Sequence, residues 1–228
     1  MKTVDVLDHG YVGLVDHMGS DLSIVRSARV SYDAEWRAGE DEGKDAKLIG
    51  YLLRNRHTSP FESVNFTFDV MAPIFVFRQW HRHRTWSFNE VSARYAELPE
   101  IFYIPAAEQI TTQSASNKQM RTQEAHPRAG EWAEHIGVTC RTAFTMYRSM
   151  LADGVPRELA RSVLPVATYS HMFATVDLHN LFHFLTLRLH PHAQYEIRVY
   201  AEAMLTLIEP IVPVAVKAFR EALDTAGK

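Results

Sequence analysis

Hydrophobic and polar positions alternate at the start of the chain in the pattern of a β-hairpin. Val4 and Val6 alternate with polar residues, and a second apolar segment, Tyr11 to Val15, follows a turn at Gly10. Alternation returns between Val64 and Val70, where every second side chain is Val or Phe. This region therefore predicts a strand with one face towards a core.

Apolar residues at helical spacing predict two helices between the hairpin and that strand. Asp21 is the expected N-cap of the first, which runs to Arg29. The segment from Leu48 to Leu53 carries the apolar face of the second, which ends near Asn55. Between them, Gly39 to Gly43 is expected to form an exposed acidic loop.

Two prolines are expected to begin the helical segments on either side of that strand. The sequence from Ser59 to Glu62 has the form of a capping box, with proline at the first helical position. Pro73 follows the strand and can begin a helix that carries Phe77, Arg78 and His81 towards a group of arginines.

The second half of the chain is mainly helical in pattern. Apolar spacing predicts four regions: Glu131 to Leu151 (closed by Gly154), Pro156 to Leu164, Leu178 to Arg188, and a region from Ala193 that Pro210 and Pro213 interrupt. Residues 106–123 are rich in Gln, Thr, Ser and Ala, which is typical of a surface insertion or mobile loop. Few strands and many helices, without regular alternation, predict an α+β fold in a single domain, 1–228.

Composition narrows the class of protein. The 24 Lys and Arg against 27 Asp and Glu give a net charge of −3, which argues against a dedicated nucleic-acid binder. Cys140 is the sole cysteine, so no intramolecular disulfide can form. The apolar run from Val70 to Phe77 is too short to span a bilayer, and the acidic start lacks the apolar stretch of a signal peptide. We expect a cytoplasmic protein.

One segment concentrates residues that bind anions. Arg78, Arg82, Arg84 and Arg94 lie close together in sequence, and only Glu90 opposes them. Arginine forms forked, charge-assisted bonds with phosphate or carboxylate and stacks on flat rings. The flanking aromatic residues argue that the group is partly buried, where like charges are costly unless an anion joins them. The segment therefore predicts a site for an anionic, aromatic ligand.

Other chemistry remains open on the residues alone. His179 and His183 are spaced i, i+4 on a predicted helix, but Asn180 stands where a metalloprotease helix has glutamate, so a metal site is a third hypothesis. An RNA- or nucleotide-binding module without catalysis is a second. Ser92 lacks the sequence context of a nucleophile, and Cys140 is most simply a small core residue.

The order of several motifs supplies the first hypothesis. Arg82-His83-Arg84, seven residues and then Ser92 match R-H-R-x7-S, the motif of the flavin-dependent thymidylate synthases, which this chain resembles. Further segments are similar to that family: Arg78-Gln79-Trp80, Asn89-Glu90, Arg94-Tyr95, Ser27 to Ser31, His57, Ser59 to Glu62, Gly154 to Arg161, Leu187-Arg188 and His192 to Gln194. The similarity covers nearly the whole chain except 106–123.

The resemblance implies a fold and an activity. The fold would be that of the thymidylate synthase-complementing proteins, a twisted, mainly antiparallel sheet flanked by helices. The enzyme would be a homotetramer with sites shared between subunits, each holding FAD with dUMP against it. It would convert dUMP to dTMP with methylenetetrahydrofolate as carbon donor and NADPH-reduced FAD as hydride source. Tetrahydrofolate would be released, and no enzyme cysteine, metal, nucleic acid or membrane would take part.

The resemblance also implies roles for individual residues. The dUMP contacts would be Gln79, Trp80, His81, Arg82, Glu90, Val91, Ser92, Ala93, Arg94, Arg161 and Arg188. The FAD contacts would be Ser31, Ser59, Arg82, His83, Arg84, Glu90, Asp177, Leu178, His179 and His183. Arg188 would be catalytic, stabilising negative charge on the pyrimidine ring, and His57 would lie near flavin and folate. Arg94 and Arg161 would neutralise the nucleotide phosphate.

Four positions depart from the family pattern. Family members often have Gly in place of Ala93, Asn in place of Asp177, Arg in place of His179 and Asn in place of His183. The methyl of Ala93 matters only where backbone must approach the phosphate closely. The other three change the adenosine side of the expected FAD site, where a titratable side chain replaces a permanent cation.

Overall fold

A computed structural model describes residues 1–226 and confirms the N-terminal hairpin. Strand β1 (Lys2–Val6) pairs antiparallel with β2 (Gly10–Met18). Gly10 is required at the turn, because a Cβ there would lie 2.1 Å from the Tyr200 hydroxyl oxygen and 2.8 Å from the Met71 carbonyl oxygen.

The first helix is confirmed, but its cap is not the predicted one. Helix α1 spans Asp21–Arg29, and its N-cap is Ser20, whose extended backbone leaves Asp21 as the first helical residue. The Asp21 carboxylate instead accepts hydrogen bonds from the amides of Val214 and Ala215, both at 2.9 Å. It therefore caps the last helix of the protein rather than its own.

The second helix begins inside the expected acidic loop. Helix α2 (Glu42–Arg54) has Asp41 as its N-cap, whose side chain accepts from the Lys44 amide at 3.0 Å, and Asn55 as its C-cap. The expected capping box at Ser59 is wrong. Ser59–Ser63 forms only one turn of 3₁₀ helix without a side-chain cap, because the chain turns directly into the next strand.

The predicted strand and the helix after Pro73 are both present. Strand β3 (Asn65–Pro73) leads into α3 (Ile74–Trp80), and β4 (Ser87–Glu90) follows. Residues 106–123 contribute to a small hairpin of β5 (Thr111–Gln113) and β6 (Arg121–Ala125) rather than an irregular loop.

The remaining elements complete the described chain. Helix α4 spans Ala129–Ala152, α5 Arg157–Ala160, β7 Tyr169–Asp177, α6 Leu178–Arg188, α7 Tyr195–Ile208 and α8 Pro213–Ala226. The helix expected through Leu164 tightens into a 3₁₀ turn over Arg161–Val163. Pro165 explains this, since proline disfavours helical backbone in the residue before it.

A five-stranded sheet in the order β1-β2-β3-β7-β4, with every neighbouring pair antiparallel, forms the centre of the fold. Its alternate side chains pack on α6 and α7; Phe66, Phe68 and Val70 are fully buried. The α+β prediction is therefore confirmed. A second, smaller core joins α4 to α5 and includes Cys140, which is 3% exposed, and burial raises the pKa of its thiol.

Candidate active site

Arg188 is held at the C-terminal end of α6 by two neutral acceptors. Its Nε donates to Nε2 of His83 at 3.1 Å, and its Nη2 donates to the carbonyl oxygen of Gln79 at 3.2 Å. Burial, followed by the nearby charge of Arg82, lowers the pKa of Arg188 below its usual value. These four residues are called the Arg188 cluster. A guanidinium has five N–H donors, so three have no partner among residues 1–226 and can serve a ligand.

His83 is neutral and has a defined tautomer. Its side chain is 6% exposed, and burial, then the charge of Arg188, then His183, lower its pKa from 6.5 to about 4. Since its Nε2 accepts from Arg188, the ring proton is on Nδ1. The imidazole therefore orients the guanidinium without adding a second positive charge.

Aromatic packing fixes the positions of the cluster. The Trp80 ring stacks on Phe184 with centroids 5.0 Å apart, and the His83 ring meets Phe184 edge-on at 4.9 Å. Trp80 is fully buried, so its indole supports the cluster from within the core. The indole N–H groups of Trp80 and Trp86 have no partner among the described residues.

A cavity of about 720 Å³ lies beside α3, the loop after β4 and the 3₁₀ turn after α5, and is called the Ser92 cavity. Six of the predicted nucleotide contacts line it: His81, Glu90, Val91, Ser92, Ala93 and Arg161. Arg78, from the predicted arginine segment, also lines it. Sequence segments about 70 residues apart thus meet around one space, as the motif analysis predicted.

Two arginines around the Ser92 cavity make longer contacts than Arg188 does in its cluster. The Arg94 amide donates to Ser92 Oγ at 3.3 Å, and Arg94 Nε lies 3.5 Å from the Glu158 carboxylate. Arg161 Nε donates to the Glu158 carbonyl oxygen at 3.4 Å. Both arginines are exposed, as is Glu158. A small anion can therefore reach Arg161 at the cavity wall and Arg94 beside it.

The resemblance implies that Arg82, Arg94, Arg161 and Arg188 meet around one nucleotide, in sites shared between subunits. Arg161 lines the Ser92 cavity and Arg94 lies beside it through Glu158, whereas Arg82 and Arg188 belong to the other cluster. These two groups are called the two half-sites, and one site shared between subunits stays a prediction.

The expected flavin residues fall into two groups. Asp177 is the N-cap of α6, accepting from the Asn180 amide at 2.9 Å, and Leu178 is fully buried with its amide bonded to the Val64 carbonyl. The others present polar groups at the surface or partly so: Ser31, Ser59, Arg82, Arg84, Glu90, His179 and His183. His57 is also exposed, with its ring edge-on to Tyr51 at 5.8 Å.

Charge balance tests whether these residues suit a flavin dinucleotide. Arg82, Arg84 and Arg188 have no carboxylate within 4.0 Å among residues 1–226. Cations without anionic partners match a ligand that carries phosphate groups. The hydrogen-bond donors of these residues therefore fit a flavin dinucleotide.

Sequence reasoning missed several polar residues that contact the site. Ser170 Oγ donates to Glu90 Oε1 at 2.6 Å, but it lies on β7, which was not predicted. Glu196 and Gln194 connect to Gln79, as described below. Glu196 shares the buried face of α7 with Tyr200, one turn later. A carboxylate within an apolar stripe was the signal that could have found it.

Two further features concern only the described residues. Within residues 1–226, no three His, Cys, Asp or Glu side chains come together as a metal-binding group. Over the same range, every helix is too short or too polar to cross a membrane.

The sheet, the flanking helices and the two arginine-bearing half-sites define an α+β protein that binds an anionic, planar ligand. The model of the family "Thymidylate synthase complementing protein" matches residues 13–214. The chain therefore belongs to that family, and the resemblance based on R-H-R-x7-S is confirmed.

Individual relatives agree with this assignment. A flavin-dependent thymidylate synthase of Treponema denticola is 48% identical over 220 residues, covering 96% of this chain and 82% of that protein. One from Thermus thermophilus is 49% identical over 221 residues, covering 97% and 79%. The crystal structure of the UMP/dUMP methylase PolB from Streptomyces cacaoi, bound with 5-Br dUMP, is 40% identical, with a TM-score of 0.86 and coverage of 96% and 97%.

Proposed function

We propose that this protein is a flavin-dependent thymidylate synthase that methylates dUMP to dTMP. Methylenetetrahydrofolate supplies the carbon, NADPH reduces FAD, and tetrahydrofolate is released. The family membership supports the reaction, and the Arg188 cluster is the observation that carries its mechanism. Cys140 lies in the small core and not at either half-site, which agrees with a reaction that uses no enzyme thiol.

Arg188 is the proposed catalytic residue. With two N–H donors held by His83 and Gln79, its remaining donors stabilise the negative charge that develops on the pyrimidine ring. The neutral His83 keeps the guanidinium in place. Arg94 and Arg161 neutralise the nucleotide phosphate, and Ser92 positions it.

FAD is the proposed flavin, and its reduced form supplies the hydride when bound. The side chains proposed to hold it include Arg82 and Arg84, which have no carboxylate partner in the described chain. His83, Ser31, Ser59, Glu90, Asp177, Leu178, His179 and His183 complete the proposed set, with His57 towards the folate. Asp177 already caps α6, so its contact would be through a carboxylate oxygen that Asn180 shares.

The proposed enzyme is a homotetramer with its sites shared between subunits. The lining of the Ser92 cavity supports this, because it lacks Arg82 and Arg188, which a partner subunit would bring. One domain, 1–228, in the cytoplasm, acting on small molecules without nucleic acid or membrane, is the simplest arrangement for such an enzyme.

The sharing of active sites between subunits can be tested by complementation between two inactive variants. Arg188→Ala and Arg161→Ala chains, co-expressed in equal amounts, assemble some sites with both arginines intact. Random mixing in a symmetric oligomer predicts recovery of about a quarter of wild-type activity. No recovery in a mixed oligomer verified by mass spectrometry would contradict shared sites.

The activity itself is tested with purified protein. We expect a yellow protein that forms dTMP from dUMP, methylenetetrahydrofolate and NADPH, and UMP should be assayed alongside. A colourless protein that cannot be loaded with FAD would overturn the proposal, and a preference for UMP would correct its substrate.

A further inference from the structure

A buried carboxylate lies at the end of a hydrogen-bonded chain of amides. Glu196, in the first turn of α7, is 3% exposed. Its Oε1 accepts from both terminal nitrogens of Arg121 at 3.2 Å and from the Tyr103 hydroxyl at 3.3 Å. Its Oε2 accepts from Gln194 Nε2 at 2.8 Å. Both carboxylate oxygens are therefore occupied.

The chain continues from Gln194 to the Arg188 cluster. Gln194 Oε1 accepts a hydrogen bond from Gln79 Nε2. The backbone carbonyl of the same Gln79 accepts from Arg188. Glu196 is thus connected to the residue beside the catalytic guanidinium through two side-chain amides.

The direction of this chain is fixed by the chemistry of the carboxylate. An ionised carboxylate only accepts, so the NH₂ group of Gln194 must face Glu196. The Gln194 oxygen then faces Gln79, which must present its own NH₂ group to it. This leaves Gln79 Oε1 turned away, with no protein partner among the described residues.

We infer that Glu196 is a positioning residue that orients the Gln79 amide through Gln194, so that Gln79 offers an acceptor oxygen to a hydrogen-bond donor of the nucleotide. The inference rests on the proposed function, which places dUMP beside Gln79. The donor is the N3–H of the pyrimidine ring, which donates a hydrogen bond but cannot accept one. The β5–β6 hairpin takes part, because its Arg121 is the counter-ion of Glu196.

The isosteric variant Glu196→Gln reverses the direction of the hydrogen bonds from Glu196 to Gln79. Arg121 only donates, so the new amide must point its oxygen at Arg121 and its NH₂ group at Gln194. Gln194 and then Gln79 must turn over, and Gln79 presents NH₂ where it presented oxygen. Because a donor would then face a donor, we expect the dissociation constant of dUMP to rise about tenfold or more.

The double variant Gln194→Glu, Glu196→Gln restores the direction without restoring the original residues. Its carboxylate at position 194 accepts from Gln79, and the amide at 196 donates to that carboxylate while accepting from Arg121. We expect the dissociation constant of dUMP to return to within about threefold of wild type. Tyr103→Phe is the matched control, because it removes a bond to the other oxygen of Glu196 and should leave dUMP binding unchanged.

The measurement is a dUMP titration of each FAD-loaded enzyme, followed by flavin absorbance, with KM and kcat determined in parallel. If Glu196 acts through Gln79, the Glu196→Gln variant raises KM for dUMP more than it lowers kcat. The Glu196→Gln penalty should vanish with N3-methyl-dUMP, which has no ring N–H, and should persist with a 3′-deoxy analogue. A penalty that persists with N3-methyl-dUMP would overturn the inference.

A further variant keeps the ion pair between Glu196 and Arg121 and so controls for effects on folding. Gln194→Leu keeps Glu196 with Arg121 but breaks the chain, and it should also weaken dUMP binding. The inference is wrong if both Glu196→Gln and Gln194→Leu bind dUMP normally, or if the double variant is no better than Glu196→Gln. Failure of wild-type enzyme to make dTMP would instead count against the proposed function.

Discussion

The Arg188 cluster and the Ser92 cavity differ in how firmly the chain holds them. In the cluster, a half-buried guanidinium bonds to a buried imidazole and a backbone carbonyl, and aromatic rings pack around it. In the cavity, exposed arginines make long contacts with one exposed glutamate. The fold itself organises the half that is proposed to stabilise developing charge. The half proposed to hold the phosphate is completed by its ligand.

Removal of Arg188 should have the largest effect. Arg188→Ala leaves no donor where charge develops on the pyrimidine, so turnover should fall on the order of 10²–10³-fold while FAD stays bound. Assays of dTMP formation and flavin absorbance measure the two properties. Arg220→Ala, in an exposed ion pair with Glu209, is the control and should retain activity. Turnover near that of wild type in Arg188→Ala would refute the catalytic assignment.

The neutral state of His83 should make stability depend on pH. Its folded pKa of about 4 lies below the usual 6.5, so protons favour the unfolded chain between these values. Stability should therefore be fully present above pH 6.5 and fall by roughly 3 kcal/mol as pH drops towards 4. Denaturant midpoints across this range measure it. His83→Gln should flatten the profile, and an equally steep profile in that variant would exclude His83 as the cause.

A smaller change is expected at Ser92. Ser92→Ala removes one hydrogen-bonding group from the cavity, so KM for dUMP should rise up to about tenfold while turnover persists. Steady-state kinetics separate the two. Ser162→Ala, on the same cavity but not among the expected contacts, is the control. A covalent adduct trapped on Ser92 would contradict a positioning role.

The smallest effect concerns Glu158, which competes with phosphate for Arg94. Glu158→Gln removes an exposed ion pair worth little to stability, and dUMP should bind about two- to threefold more tightly at low salt. Titrations at two ionic strengths measure the gain, which salt should reduce. Weaker dUMP binding in this variant would show that Glu158 assists the nucleotide instead.

The strongly periodic elements could be predicted from sequence. The hairpin, α2, β3, α4 and α6 each repeat apolar residues at one clear period over several turns or pairs. Strand β7 was missed because its buried positions include the small Ser170 and Ala174, while Phe173 is 40% exposed. The two faces of β7 therefore differ little in hydrophobicity along the sequence. Strand β4, with four residues, is too short to show a period.

Part of the lining of the Ser92 cavity was predictable as a set of residues, but its geometry was not. The spacing from Arg82 to Ser92 does not say which of these residues line the cavity. That depends on where α6 and the turn at Arg161 pack in the folded chain. Glu196 likewise acts through contacts that span more than 70 residues of sequence, from Arg121 to its own position.

The carboxylate of Asp21 has a consequence for synthesis of the chain. It closes the amide end of α8, whose first residues emerge from the ribosome almost 200 positions later. Until then the Asp21 carboxylate lacks these two amide donors, which in the folded protein oppose the rise in its pKa that burial causes. The packing of α1 against α8 therefore forms only once α8 has been made and has docked.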